Sequence, residues 1–207
     1  MAISAREVSK IKKAIPADGV LPIFHERWSA RAFADREVSA DDLRRVFEAA
    51  RWAASSSNEQ PWRFLVGTRE TETHARILSA LVAGNRVWAG KAPVLILGTA
   101  KTTFSSSGAH NGYALYDLGA ASSYLTLQAA ALGLTTHQMA GFDKEKARAL
   151  LGIPEEYALG AVIALGHQGE PETLGSEELI KRESAPRTRK GLGEFVFSNW
   201  GEAFLRS

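Results

Sequence analysis

The stretch Ala114–Leu132 reads ALYDLGAASSYLTLQAAAL, with small residues falling on nearly every side. Such a run, extended back to Tyr113, predicts a long helix that other elements approach closely all round, and so a helix central to the fold. Two continuous apolar runs, Pro93–Gly98 and Ala158–Gly166, predict strands covered on both faces. Arg63 to Gly67 predicts another strand, followed by a helix carrying Ile77, Leu78, Leu81 and Val82. Ser39, with Asp41 and Asp42 behind it, caps a helix that presents Leu43, Val46, Phe47 and Ala50 and runs to about Ala54. Asp143 caps a helix that ends near Gly152, and a capping box of Ser4 and Glu7 opens a short charged helix that stops before Pro16. Thr99 to Gly112, rich in Ser, Thr and Gly, reads as an excursion. Helices and strands interleave with no repeat and no linker. The expectation is an α+β fold, a three-layer α-β-α sandwich in one domain over 1–207, with residues 1–20 as an N-terminal arm and 178–207 as a C-terminal tail.

Composition removes several functions. Hydrophobic residues at 45% and charged residues at 23% are ordinary globular values, and a net charge of +2 does not suggest a nucleic-acid protein. The absence of cysteine excludes disulfides, thiolate metal sites and cysteine nucleophiles, and suits a cytoplasmic protein. Charges stand where a signal peptide needs an apolar run, and no segment approaches the length of a membrane span. His25, His74, His110, His137 and His167 are scattered, so no metal site is expected. Phosphate-loop, dinucleotide-fold and nucleophile-elbow motifs are absent.

Two polar clusters carry the chemistry. In SSSNEQPWRF, Ser55 to Phe64, an extended backbone would present the amides of Asn58 and Gln60 on one side, beside the rigid apolar surface of Pro61 and Trp62. Paired amides suit a ring edge that alternates acceptors and N–H groups, such as a flavin or pyrimidine. The alternative is a loop whose side chains bond only their own backbone. In HERWSARAF, Arg27, Ser29 and Arg31 share one side of an extended segment, which suits a phosphate or polyol. The RTRK run, Arg187 to Lys190, reads either as a third basic group or as a solvated stretch.

These segments together resemble the nitroreductase family of FMN-dependent oxidoreductases. The resemblance rests on R-x-S-x-R-x-F from Arg27, S-x-x-N-x-Q-P-W-x-F from Ser55, Asn85 to Pro93, Asp117 to Leu134, Gly141 to Pro154 and R-K-x-L-x-E-x-V from Arg189, in that order. It covers the chain from about Phe24 to Trp200.

The resemblance implies a homodimer with two FMN molecules in clefts between subunits, the C-terminal tail wrapping the partner. Arg27, Trp28, Ser29 and Arg31 would contact the FMN phosphate and ribityl chain, with Arg187, Arg189 and Lys190 completing the phosphate site. Asn85 would bond the pyrimidine side, and Met139, Ala140 and Gly141 would form a loop along the ring. Ser55, Ser56, Asn58 and Gln60 would serve the FMN of the other subunit. NADH or NADPH would deliver hydride to flavin N5 and leave, and a nitroaromatic, quinone or enone would take its place, with no catalytic side chain. Two positions depart from the family pattern: Trp88 stands where Lys is frequent, and Ala140 where Glu is frequent. With Trp88 there, Arg31 or another basic group is expected to supply positive charge at the ring. Specialised chemistry on the same fold (flavin fragmentation, dehalogenation, azoline oxidation) and flavin binding without turnover are the competing expectations.

Overall fold

The computed structural model describes residues 3–14 and 17–205. Its centre is a four-stranded antiparallel sheet in the order β1-β2-β4-β3, formed by β1 (Trp62–Thr68), β2 (Val94–Lys101), β3 (Thr135–Met139) and β4 (Tyr157–Gly166). Side chains alternate across a strand, so the two apolar runs feed two separate cores. Val94, Ile96, Ile163 and Leu165 point to one face, where α3 (Ala40–Arg51) and α6 (Ala114–Ala131) pack. Leu95, Leu97, Val162 and Ala164 point to the other, under α4 (Glu72–Ala80), α5 (Ala83–Ala89) and α7 (Lys144–Leu151). This is the expected three-layer α-β-α arrangement.

The alanine-rich run does make the long helix, and its small residues matter for distance. Ala121, Leu125 and Ala129 are fully buried on α6. Leu118 lies so close to the sheet that a Cβ on Gly160 would sit 2.6 Å from its Cδ2, and one on Gly98 would sit 3.2 Å from its Cδ1. Asp143 caps α7 by accepting the N–H of Lys146 at 2.9 Å, as its position predicts.

Several expectations are corrected. The helix through Ile77 ends at Ala80, and Leu81 and Val82 form a break before the separate α5 that carries Asn85 and Trp88. The helix capped by Ser39 ends at Arg51 rather than Ala54. Met139 does not lie in a loop. It closes the edge strand β3 and is 3% exposed. The N-terminal helix α1 (Ala5–Lys12), expected as an arm, packs on the domain: Val8 and Ile3 pack on Trp28, and Ser9 donates to Gln168 at 2.8 Å. It ends at Lys12, before Pro16, as its sequence predicts. Beyond β4 come α8 (Glu177–Ser184) and a small hairpin of β5 (Phe197–Asn199) and β6 (Glu202–Ala203). Among the described residues no helix is long and apolar enough to cross a membrane.

Candidate functional site

The strip after α2 (Pro22–Glu26) runs extended, and its alternation holds. Trp28, Ala30 and Ala32 turn inward and are buried, which leaves Arg27, Ser29 and Arg31 on the outer side. Arg27 Nη1 reaches Ser29 Oγ at 3.4 Å. Arg187, distant in sequence, clamps the strip by donating from Nη1 to the carbonyl of Arg27 at 2.6 Å and from Nη2 to that of His25. Burial lowers the pKa of Arg27, and the neighbouring charges of Arg187 and Arg189 lower it further. Burial and Arg189 act on Arg187 in the same direction. Arginines stay charged in proteins, so this corner holds three guanidiniums that repel one another. None of the three is in an ion pair with a carboxylate among the described residues. Among the described residues the Nε of Arg187 is buried without a hydrogen-bond partner. Lys190 is exposed on the neighbouring chain segment. The chemistry of this donor set is that of an anion site.

Trp28 contributes its backbone to the strip but turns its indole away, against α1, where Lys12 Nζ stands 5.0 Å from the ring centre. Trp88 is also inward, 1% exposed, with Phe33 stacked at 6.4 Å and His137 at 4.6 Å. The Arg31 guanidinium lies 5.9 Å from the Trp88 ring centre. The position where the family pattern has Lys is therefore core, with Arg31 resting over it. His137 bonds the carbonyl of Ala30 through Nδ1 at 3.0 Å. Burial first, and the charge of Arg31 second, push its pKa down to about 4, so at neutral pH the ring is uncharged.

One helical turn before Trp88, Asn85 donates to the carbonyl of Gly141 at 3.1 Å, and Val82 N–H donates to the same oxygen at 3.1 Å. A Cβ on Gly141 would lie 2.8 Å from Asn85 Nδ2, so a side chain there would collide with the residue that holds the segment. Ala140 is exposed beside it. Asn85 thus ties the segment after β3 to α5, and the strip that begins at the cationic corner ends with Arg31 over Trp88 on the same helix.

The Ser55–Gln60 segment is not the extended strip that its alternation implied. It is a short helical turn in which Ser57, Asn58 and Gln60 all adopt left-handed backbone, with φ of 53°, 53° and 51°. Such angles cost non-glycine residues on the order of 1–3 kcal/mol each, Asn least, and persist only where surrounding structure enforces them. Here Asp117, 2% exposed at the start of α6, accepts the N–H of Ser56 at 3.1 Å. Ser55 Oγ accepts the N–H of Gln60 at 3.0 Å, and Glu59 takes the N–H and hydroxyl of Ser105 at 3.0 and 2.6 Å. Gln60 Nε2 does lie beside Asn58, 3.3 Å from its Oδ1. Neither Asp117 nor Glu59 was singled out from sequence as a site residue; the buried acid in the D-x-G-x-A pattern was the available signal.

Within one chain the loop and the strip sit at opposite corners of the sheet. The loop leads into Trp62, which pairs through Ala100 with Ala158 at the start of β4. The strip is fixed at the other end, where Phe33 bridges Gln168 just past Gly166. Ala158 to Gly166 alone spans about 26 Å, at roughly 3.3 Å per residue. A single mononucleotide does not bridge the two corners of one chain.

Comparison with known proteins gives the family. The model of the nitroreductase family matches residues 25–87 and 71–167. The chain belongs to that family. It is 37% identical over 147 residues to an uncharacterized 15.4 kDa protein of Mycolicibacterium smegmatis from the ask 5' region, covering 67% of this chain and 97% of that one. To an NADH dehydrogenase of Thermus thermophilus it is 29% identical over 176 residues, covering 70% and 84%. Among solved structures, an oxidoreductase containing FMN superposes with a TM-score of 0.84 at 30% identity, covering 90% of this chain and 95% of the other. A Desulfovibrio desulfuricans protein solved in complex with FMN gives 0.69 at 25% identity, covering 89% and 98%.

Proposed function

We propose that this chain is a cytoplasmic FMN-dependent NAD(P)H oxidoreductase that works as a homodimer. The observation that carries the reading is the cationic corner: three guanidiniums that, among the described residues, pair with no carboxylate, one with an orphaned buried Nε, at the head of a strip whose Arg31 rests over Trp88 on the helix that carries Asn85. Arg27, Arg187, Arg189 and Lys190 would hold the phosphate, and Ser29 the ribityl hydroxyls. Arg31 would set positive charge at the ring, while Asn85 keeps Met139, Ala140 and Gly141 in place along it. Ser55, Ser56, Asn58 and Gln60 would be supplied by the second copy, since in one chain they lie at the far corner. Tyr116 and Tyr124 on α6, together with Phe195 and Trp200 of the C-terminal tail, are exposed, which supports a second copy covering them. Bound FMN would supply hydride transfer from NADH or NADPH to an acceptor such as a nitroaromatic, quinone or enone.

The test is the visible absorbance of the purified protein under anaerobic conditions, before and after each nucleotide. A flavin spectrum that bleaches is expected, and the faster nucleotide names the donor. A flavin that stays oxidised would move the assignment to specialised flavin chemistry or to binding without turnover. A colourless protein that refuses added FMN would overturn the reading.

A further inference from the structure

Glu183 on α8 is 1% exposed, and nothing in the sequence motifs marks it. Its carboxylate straddles the strip at Arg31. The N–H of Arg31 donates to both oxygens, at 2.9 and 3.1 Å, and the N–H of Ala32 donates to Oε1 at 3.0 Å. Arg31 Nη1 stands 3.9 Å from Oε2. Lys12 faces the same carboxylate, which favours its charged form against the burial that disfavours it. Lys12 also donates to the carbonyl of Arg182 at 3.2 Å. His137, the other titratable ring packed here, is neutral at pH 7 and bonds the neighbouring Ala30 carbonyl.

A carboxylate taken fully out of water is costly unless paired, and a fixed strip needs only hydrogen-bond acceptors. The charge therefore calls for its own explanation. Along the strip the contrast is plain: among the described residues Arg27, Arg187 and Arg189 are in no ion pair with a carboxylate, whereas Arg31, next on the same side, has a buried one behind it. The phosphate end keeps its full positive charge, and the ring end does not.

We propose that Glu183 is a positioning residue for Arg31, one that fixes its backbone and offsets its positive charge, and thereby holds the reduction potential of the bound flavin below the value that an unopposed Arg31 would give. The inference rests on the FMN reading above. Reduction adds negative charge to the cofactor, so an uncompensated cation nearby favours the reduced form and a compensated one favours it less. A purely structural acceptor would leave the potential unchanged when its charge is removed and its shape is kept.

The experiment is a redox titration of the flavin in purified holoprotein, for wild type and Glu183→Gln, beside FMN binding followed by fluorescence. Glu183→Gln is expected to retain FMN and to shift the potential to a more positive value. Retention of FMN with the wild-type potential would overturn the inference and leave the cofactor reading standing. If Glu183→Gln does not yield folded protein, Lys12→Met replaces it: losing the other cation that faces the carboxylate should shift the potential to a more negative value, and an unchanged potential would again overturn the proposal. A wild-type protein that binds no FMN defeats the cofactor reading itself, and this inference with it.

Discussion

The two polar corners of the molecule are costly in different ways. At Arg27, Arg187 and Arg189 the cost is electrostatic: like charges are held together, with Arg27 and Arg187 partly buried. At Ser57, Asn58 and Gln60 it is conformational, in three left-handed backbones within four residues. An anion would relieve the first cost. The second is maintained by Asp117 and Glu59 so that a loop keeps a shape its own residues do not prefer. Neither corner is explained by the isolated chain, and in the proposed dimer they would be two halves of one site.

The comparison can be broken most severely from beneath the strip. His137 is neutral in the folded protein down to about pH 4, whereas an unfolded chain protonates near 6.5. Its contribution is complete above about pH 6.5, falls as pH drops through that window, and is lost below about 4, a total of roughly 3 kcal/mol. Protonation would add a further charge beside Arg31. His74 and His167 are also lowered by burial, so the measurement is the difference between wild type and His137→Asn in urea unfolding at pH 7 and pH 5. The wild type should lose more stability.

Arg187→Ala removes one cation and the clamp on His25 and Arg27 at once. FMN affinity should fall by about 2 kcal/mol, roughly thirtyfold, in a fluorescence titration. Arg187→Lys should recover little, since a point charge cannot span both carbonyls. Gly141→Ala would push on Asn85 and cost about 1 kcal/mol of stability, with weaker FMN binding, by thermal melting and titration. The smallest effect is expected at the strained corner. Ser57→Gly should raise stability by about 0.5–1 kcal/mol in denaturant unfolding, because glycine adopts its φ of 53° without the Cβ penalty.

What the sequence made legible followed from periodicity and composition. The alternation of Arg27, Ser29 and Arg31 against Trp28 and Ala30 was readable, and so were α6 and the two buried strands. The break at Leu81 and Val82 was not, because neither residue is a helix breaker and the division follows from packing. The edge strand β3 was missed because it is five residues long and its Gln138 is exposed. The loop at Ser55–Gln60 misled because left-handed backbone usually announces itself by glycine, and here it falls on Ser, Asn and Gln. Arg187 was expected at a phosphate, yet it also holds two backbone carbonyls, a role that only the folded chain displays. Glu183 carried no signal because only the folded chain buries what reads as an ordinary helix glutamate.

The central claim is that each site takes its cationic strip from one copy and its strained loop from another. It is tested most directly by mixing two variants, Arg187→Ala and the double variant Asn58→Ala with Gln60→Ala, each expected to bind FMN poorly alone. Co-refolding them should restore a fraction of sites with wild-type FMN affinity, because a mixed dimer has one site built from an intact strip and an intact loop. Recovery of no high-affinity sites, with mixed dimers demonstrably formed, would contradict the account and place both sets of residues in one chain's own site.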